Sequence, residues 1–179
     1  MTLSPALLYP QQGETLPPEP EPQPSSWWDF FQAHRDFPMA PQAYDWTCSI
    51  CATTWVLQAT GLDPYAAREA VAYKIGYPSC VNEQVGLVNT ACVERVFESY
   101  GVEAVQEWVD WPRLVEVASS TTGVLNGLGW YHVVGMRGVE QRGGIWIANS
   151  ARGYQGVSDM LSEAQFDALG PFQVVRLVH

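Results

Sequence analysis

The residues between Thr47 and Gly61 constrain this chain more than any other segment. They read Cys48-Ser-Ile-Cys51-Ala-Thr-Thr-Trp55-Val-Leu-Gln-Ala-Thr, with no charged side chain. Thr47 suits an N-cap and Gly61 a left-handed stop, so the pattern predicts one helix between them. Ile50, Cys51, Thr54, Trp55 and Leu57 give that helix a broad buried stripe. It also carries a cysteine in its first turn, where unpaired N–H groups and the helix dipole favour an anion. A thiol there is expected to have a lowered pKa. Cys51, one turn further in, is expected to be buried and protonated.

The rest of the pattern supplies something for this helix to pack on. Asp63-Pro64 predicts a second helix over about 64–74, and a third is expected over about 87–99 after a turn-rich stretch from Gly76 to Gly86. Val102 to Val109 reads as a short strand, and Pro112 opens a helix to about Ser119. Beyond that point strands dominate. Val124 to Leu128, Trp130 to Met136, Ile145 to Ala148 and Phe172 to Val178 are each apolar runs bounded by turn residues. Ser162-x-x-Gln165 is a capping box for one last short helix ending at Gly170-Pro171, with Leu161 and Phe166 placed as a staple. Helices first and antiparallel strands second read as α+β, with the cysteine helix packed on a C-terminal sheet.

Length and charge limit the rest. The 179 residues suffice for one hydrophobic core. Residues 1–26 hold seven prolines with Glu, Gln and Ser, which reads as a polyproline-like or disordered tail. The domain is expected over 27–179, with Trp27-Trp28-Asp-Phe-Phe31 capping the core. Nine Lys and Arg against 19 Asp and Glu give a formal charge of -10, which argues against nucleic-acid backbones and anionic membranes. No apolar run reaches membrane-spanning length, and Met1 to Pro10 lacks the basic and apolar regions of a signal peptide, so the expected compartment is the cytoplasm. The four cysteines allow a Cys48-x-x-Cys51 redox pair or half a zinc site. No clear strand precedes Asp45, and Cys80 and Cys92 are too far apart for a compact second pair. No cofactor or metal is expected.

Three residues complete a chemistry around Cys48. His132 is the base best placed among three histidines, since His34 lies near the aromatic anchor and His179 is the terminal residue. Strand alternation puts Trp130, His132, Val134 and Met136 on one face. A hairpin turning at Glu140-Gln141 sets Val139 opposite Arg142, Val134 opposite Ile147, Met136 opposite Ile145 and His132 opposite Asn149. Asn149 can then accept one imidazole N–H and leave the other nitrogen for Cys48. A one-residue slip would undo this, and Gly143-Gly144 can introduce a bulge. Gln42, six residues before Cys48, can present its amide to an oxyanion, with the Cys48 N–H as the second donor. Asp45 is a rival for capping or hydrogen bonding near Cys48. Trp46, Trp130, Tyr131 and Tyr154 can line a cleft or fill the core. Trp130 and Tyr131 point to opposite faces, so at most one of them faces the site.

Pro41-Gln42-Ala-Tyr-Asp-Trp-Thr-Cys48-Ser-Ile-Cys51-Ala, Gly129-Trp-Tyr-His132-Val-Val-Gly135-Met-Arg-Gly138, Ile145-Trp-Ile-Ala-Asn149-Ser and Leu161-Ser-Glu-Ala-Gln-Phe166 together resemble the papain-like cysteine peptidase superfamily. The stretch from about 41 to 178 is most similar to its bacteriocin-leader-processing branch. That branch has Gly-Pro after its cysteine and Asp-Pro at the orienting position, where this chain has Ser49-Ile50 and Asn149-Ser150. The resemblance implies a papain-like α+β fold with Cys48 as nucleophile, His132 as base, Asn149 as orienter and Gln42 at the oxyanion. A papain-style Cys-x-x-Cys would cast Cys51 as the nucleophile instead. The implied function is a cysteine peptidase or other thiol amide hydrolase that works through a thioester on a peptide or protein substrate. The alternative is a catalytically inactive papain-like module that binds a protein, with the Pro-rich tail as a docking segment. A zinc-stabilised structural protein is the third class.

Overall fold

The computed structural model describes residues 26–151 and 158–178. The Pro-rich tail, Tyr154 and His179 lie outside the described residues. The order of elements is α1 (Trp27–His34), a 3-10 turn (Asp45–Thr47), α2 (Cys48–Ala59), α3 (Arg68–Ile75), β1 (Val81–Asn82), β2 (Gly86–Leu87), α4 (Ala91–Glu98), β3 (Ala104–Val109), α5 (Trp111–Ser120), β4 (Gly123–Gly127), β5 (His132–Val139), β6 (Ile145–Ala148), β7 (Ser158–Leu161), α6 (Glu163–Leu169) and β8 (Phe172–Leu177). Six strands form one antiparallel sheet in the order β3-β8-β4-β5-β6-β7, and β1 and β2 form a separate hairpin.

Both faces of the sheet are covered. Val124, Val133 and Val175 pack with α2 and the other N-terminal helices. Their neighbours in sequence, Leu125, Val134 and Val174, pack with α5 and α6 on the opposite face. This is why the strands read as apolar runs and not as alternating ones: each successive side chain has a core to enter. The cysteine helix α2 is buried on nearly every side, with Gln58 and the N-terminal Thr47 alone reaching partial exposure. Its Trp55 lies over β5, donates its indole N–H to the Phe37 carbonyl at 2.8 Å and meets Phe31 of α1 edge-on. Helix α1 therefore caps the core through Phe31, with Ser26 accepting the Asp29 N–H at its start.

Several sequence expectations shift. Thr47 does not cap α2. The 3-10 turn runs directly into the helix, and the Thr47 hydroxyl donates back to the Tyr44 carbonyl at 2.8 Å. The second helix starts at Arg68 rather than Pro64, because Asp63 closes a turn in which its carboxylate accepts the Tyr65 N–H and its carbonyl the Ala66 N–H. The third begins at Ala91, since Gly86 and Leu87 are used in the small hairpin. Strand β7 went unrecognised, being four residues with no apolar alternation. Asp110 caps α5 through the Arg113 N–H, and the Ser162–Gln165 capping box forms as read. Cys80 and Cys92 form a disulfide, and Cys48 and Cys51 are free. No helix among the described residues is long and apolar enough to cross a membrane.

The β5–β6 hairpin has a different register from the one expected. Its turn spans Gln141–Gly143, with Gly143 at φ 88° and the Glu140 N–H donating to the Gly144 carbonyl. Val139 faces Ile145 and Gly138 faces Trp146, then Arg137 is bulged, and Met136 faces Ile147. The longer turn and the bulge together displace the pairing by two residues. Two is an even number, so on the His132 side of the bulge the side chains stay on their expected face, and Met136 and Ile147 meet in the same core, whereas beyond the bulge Val139 turns to that core as well. The bulge also frees Arg137 to reach across to the 35–37 segment, where it donates to the carbonyls of Arg35 and Phe37 at 2.8 and 3.0 Å.

Candidate active site

Cys48 is the first residue of α2 and His132 the first residue of β5. Both line one open cleft of about 930 Å³ at these two ends. The packing of Trp55 against Gly135 sets the distance between the two elements, since a Cβ at Gly135 would lie 2.3 Å from the indole ring. The site is thus placed by the contact between helix and sheet, and neither side chain depends on a long loop.

Asn149 lies just beyond β6 and is fully buried. Its Oδ1 stands 2.8 Å from His132 Nε2, although the pairing is diagonal and not directly opposite. The same Oδ1 accepts the Ala151 backbone N–H at 3.0 Å. A backbone N–H is always a donor, so it fixes which end of the amide is oxygen. His132 Nε2 must then carry the proton, which leaves Nδ1 with its lone pair. Among the described residues Asn149 Nδ2 has no partner. The Trp130 ring packs edge-on to the imidazole at 5.0 Å. Tyr131, at φ 52° and almost fully exposed, lines the cleft, and Trp130 does not.

Gln42 is buried beside this group and is not a surface loop residue. Its N–H donates to the Ser150 carbonyl, and its Oε1 accepts the Ser150 hydroxyl at 2.9 Å. Its Nε2 points to the Asp45 carbonyl at 3.4 Å, a long contact. Reversing the amide would set two carbonyl oxygens against each other, so Nε2 is the donor on that side. Ser150 is a residue that the sequence reading missed. It was visible there only as a departure from the Pro of similar chains. Asp45 sits in the 3-10 turn and contributes its carbonyl to Gln42.

Burial reverses the expected thiol acidity. Cys48 is 4% exposed, and desolvation pushes its pKa up, against backbone hydrogen bonding with Val133 and Ser49 that pulls it down. The helix terminus thus acts as expected but is outweighed. Burial also lowers the His132 pKa, with the Asn149 hydrogen bond working the other way. Both shifts favour the uncharged forms, a thiol and a neutral imidazole. Cys51 is buried with its pKa raised, again by burial, and faces a smaller cavity of about 250 Å³ beside Arg68, away from His132. No group of three or more His, Cys, Asp or Glu among the described residues could hold a metal.

No family model matches the sequence, and no curated protein matches it. Solved structures do. One is a double glycine motif protease from an AMS/PCAT transporter, crystallised with a leader peptide, at TM-score 0.61 over 79% of this chain and 91% of that one, with 16% identity. The fold is papain-like. At that identity the likeness concerns the arrangement of helices and strands. Within the papain-like fold, what the residues at the end of α2 and β5 do rests on their own geometry.

Proposed function

We propose that this protein is a cysteine peptidase or related thiol amide hydrolase, with Cys48 as nucleophile, His132 as base, Asn149 as orienter and Gln42 as oxyanion donor. One observation carries the reading: Ala151 fixes the Asn149 amide, which fixes the His132 tautomer with its basic nitrogen unprotonated, in the cleft that Cys48 lines. His132 Nδ1 takes the Cys48 proton as the thiolate attacks a substrate carbonyl carbon. The oxyanion is held by Gln42 Nε2 and the Cys48 N–H. The intermediate collapses to a thioester as the imidazolium protonates the leaving amine. Water, deprotonated by His132, then attacks the thioester and frees the acid and the thiol.

The substrate is a peptide or protein, in line with the leader peptide bound by the double glycine motif protease of the same fold. Its double-glycine specificity is not carried over, because Ser49-Ile50 and Asn149-Ser150 replace that branch's residues on either side of the site. The acidic balance argues against nucleic acid and anionic membranes as partners, and the Pro-rich tail is offered to a protein partner. The sequence favours the cytoplasm, whereas the Cys80–Cys92 disulfide favours an oxidising compartment. Titrating the thiols of protein taken directly from cells decides between them: four free thiols for the first, two for the second.

The raised pKa of Cys48 favours a second reading, a binding module that kept the fold and lost turnover. A peptide library incubated with wild-type protein and with Cys48→Ala separates the two. Cleavage lost in the variant supports the hydrolase, and retention of the library uncut by both proteins supports the module.

A further inference from the structure

We propose that the Cys80–Cys92 disulfide is a reducible switch that fixes or releases one wall of the cleft, with a low-molecular-weight thiol as its reductant. Its effect on substrate rests on the peptidase reading of the cleft; the switch itself does not. Residues 83–87 of the β1–β2 hairpin line the cleft. Each strand of that hairpin has two paired positions, and neither joins the six-stranded sheet. A two-stranded hairpin this short does not hold its own shape in water, so its position depends on its attachments. Val81 is buried in the core, Leu87 packs at the edge of that core, and Gly86 lies against the Trp46 backbone. At the foot the Val88 N–H donates to the Cys80 carbonyl at 2.9 Å. The disulfide then ties Cys80 to α4 and closes the loop that carries the wall.

The bond is placed to be opened by thiol exchange. Cys92 is 1% exposed, whereas Cys80 is half-buried, so an incoming thiolate meets the Cys80 sulfur. Attack there expels Cys92 as the leaving thiolate. Cys92 lies in the first turn of α4, and Arg95, one turn on, donates from Nη2 to Cys92 Sγ at 3.2 Å and to Cys80 Sγ at 3.6 Å. No carboxylate among the described residues pairs with that guanidinium. Its charge attracts the incoming thiolate and stabilises the leaving one, and a more acidic leaving thiol departs faster. Cys48 has a helix terminus alone, and burial prevails there; Cys92 has a guanidinium in contact as well. The first exchange leaves the reductant joined to Cys80 and frees Cys92, which takes a proton from solvent. A second reductant thiolate attacks the reductant's own sulfur in that mixed disulfide and releases Cys80, which is protonated in turn. Two electrons pass to the protein, and the two reductant thiols leave as one disulfide.

Reduction loosens the wall without detaching it. Val81 and Leu87 still pack on the core, but the exposed residues 83–85 lose the fixed base that holds them beside the cleft. A peptide must then order the wall as it binds, which weakens its affinity. The bond is closed in an oxidising compartment and open in a reducing one, so the state of the wall reports the surroundings.

The test uses the full-length protein with the bond formed. It is exposed to about 10 mM glutathione, near the glutathione poise of a reducing cell, quenched with acid and mapped by differential alkylation. Cys80 and Cys92 should become free together, about fivefold faster or more in wild type than in Arg95→Gln, with Arg95→Lys between them. Hydrogen exchange then compares oxidised protein with reduced protein and with Cys80→Ser/Cys92→Ser, which needs no reductant. Residues 81–88 should exchange about tenfold faster or more in both open forms, with 132–139 unchanged. On a cleaved peptide the open forms should raise KM about threefold or more, with kcat little changed. A bond that stays closed in glutathione, or opens at a rate independent of Arg95, overturns the proposal. So does exchange at 81–88 that opening leaves unchanged, exchange that rises equally through 132–139, or a KM equal in both states. Faster exchange at 81–88 in a protein whose wild type cleaves nothing retains the switch and removes the peptidase reading.

Discussion

Replacing Gly135 by alanine puts a methyl group where Trp55 already stands. The new Cβ would lie 2.3 Å from Trp55 Cε3 and 2.6 Å from Cζ3, so ring and strand must separate by about 1 Å to reach ordinary contact. Trp55 is 1% exposed, held by its bond to the Phe37 carbonyl and covered by the Arg137 guanidinium 5.1 Å from the ring centroid, so it has nowhere to turn. The separation falls on α2 against β5. Overpacking of this severity costs about 3 kcal/mol, the upper part of the usual range. That corresponds to a drop in Tm of about 6–12 °C for a domain of this size. The same movement shifts Cys48 relative to His132, and a misplacement of about 1 Å costs on the order of a hundredfold in rate. Urea unfolding gives the first effect, and cleavage by the folded variant gives the second. A smaller ring should relieve the clash, so Gly135→Ala with Trp55→Phe should be less destabilised than the sum of the single changes by about 1 kcal/mol or more. Stability of Gly135→Ala within about 0.5 kcal/mol of wild type, or a double variant that is simply additive, would refute the claim that this contact sets the site.

Other outcomes follow from the same geometry. Asn149→Ala should lower kcat by about a hundredfold or more with little change in KM, since it frees the imidazole without touching the cleft wall, and steady-state kinetics on any cleaved peptide checks it. Alkylation of Cys48 by iodoacetamide in the free protein should rise steeply only above about pH 9, because burial raises the thiol pKa, and a plateau already present at pH 6 would mean a preformed thiolate. The stability gained from keeping His132 neutral is full above about pH 6.5 and falls as pH drops toward its lowered folded value. Wild type should therefore lose more stability than His132→Gln between pH 7.5 and 5.5 in urea titrations. Arg137→Met should cost about 2 kcal/mol, as the Arg35 and Phe37 carbonyls lose their charged donor.

Much of this site was legible because it is built from short-range signals. An uncharged apolar run ending in Gly61 specified α2, and alternation kept His132 and Asn149 on a shared face even though the hairpin register was misplaced by two. What the sequence hid comes from competition between neighbours. Thr47 looks like a cap, but its turn sends the hydroxyl back to Tyr44. Cys48 looks acidic at a helix start, and only the packed structure shows that burial prevails. Ser150 carries no pattern of its own, since it gains its place from Gln42, a partner distant in sequence.

The central claim is that Cys48, and not Cys51, is the nucleophile of an amide hydrolase. Intact mass spectrometry of the protein during incubation with a cleavable peptide library, followed by peptide mapping, tests it most directly. The account predicts a transient acyl adduct on Cys48, absent in Cys48→Ala and present in Cys51→Ala. An adduct on Cys51, or cleavage that persists in Cys48→Ala, would contradict it.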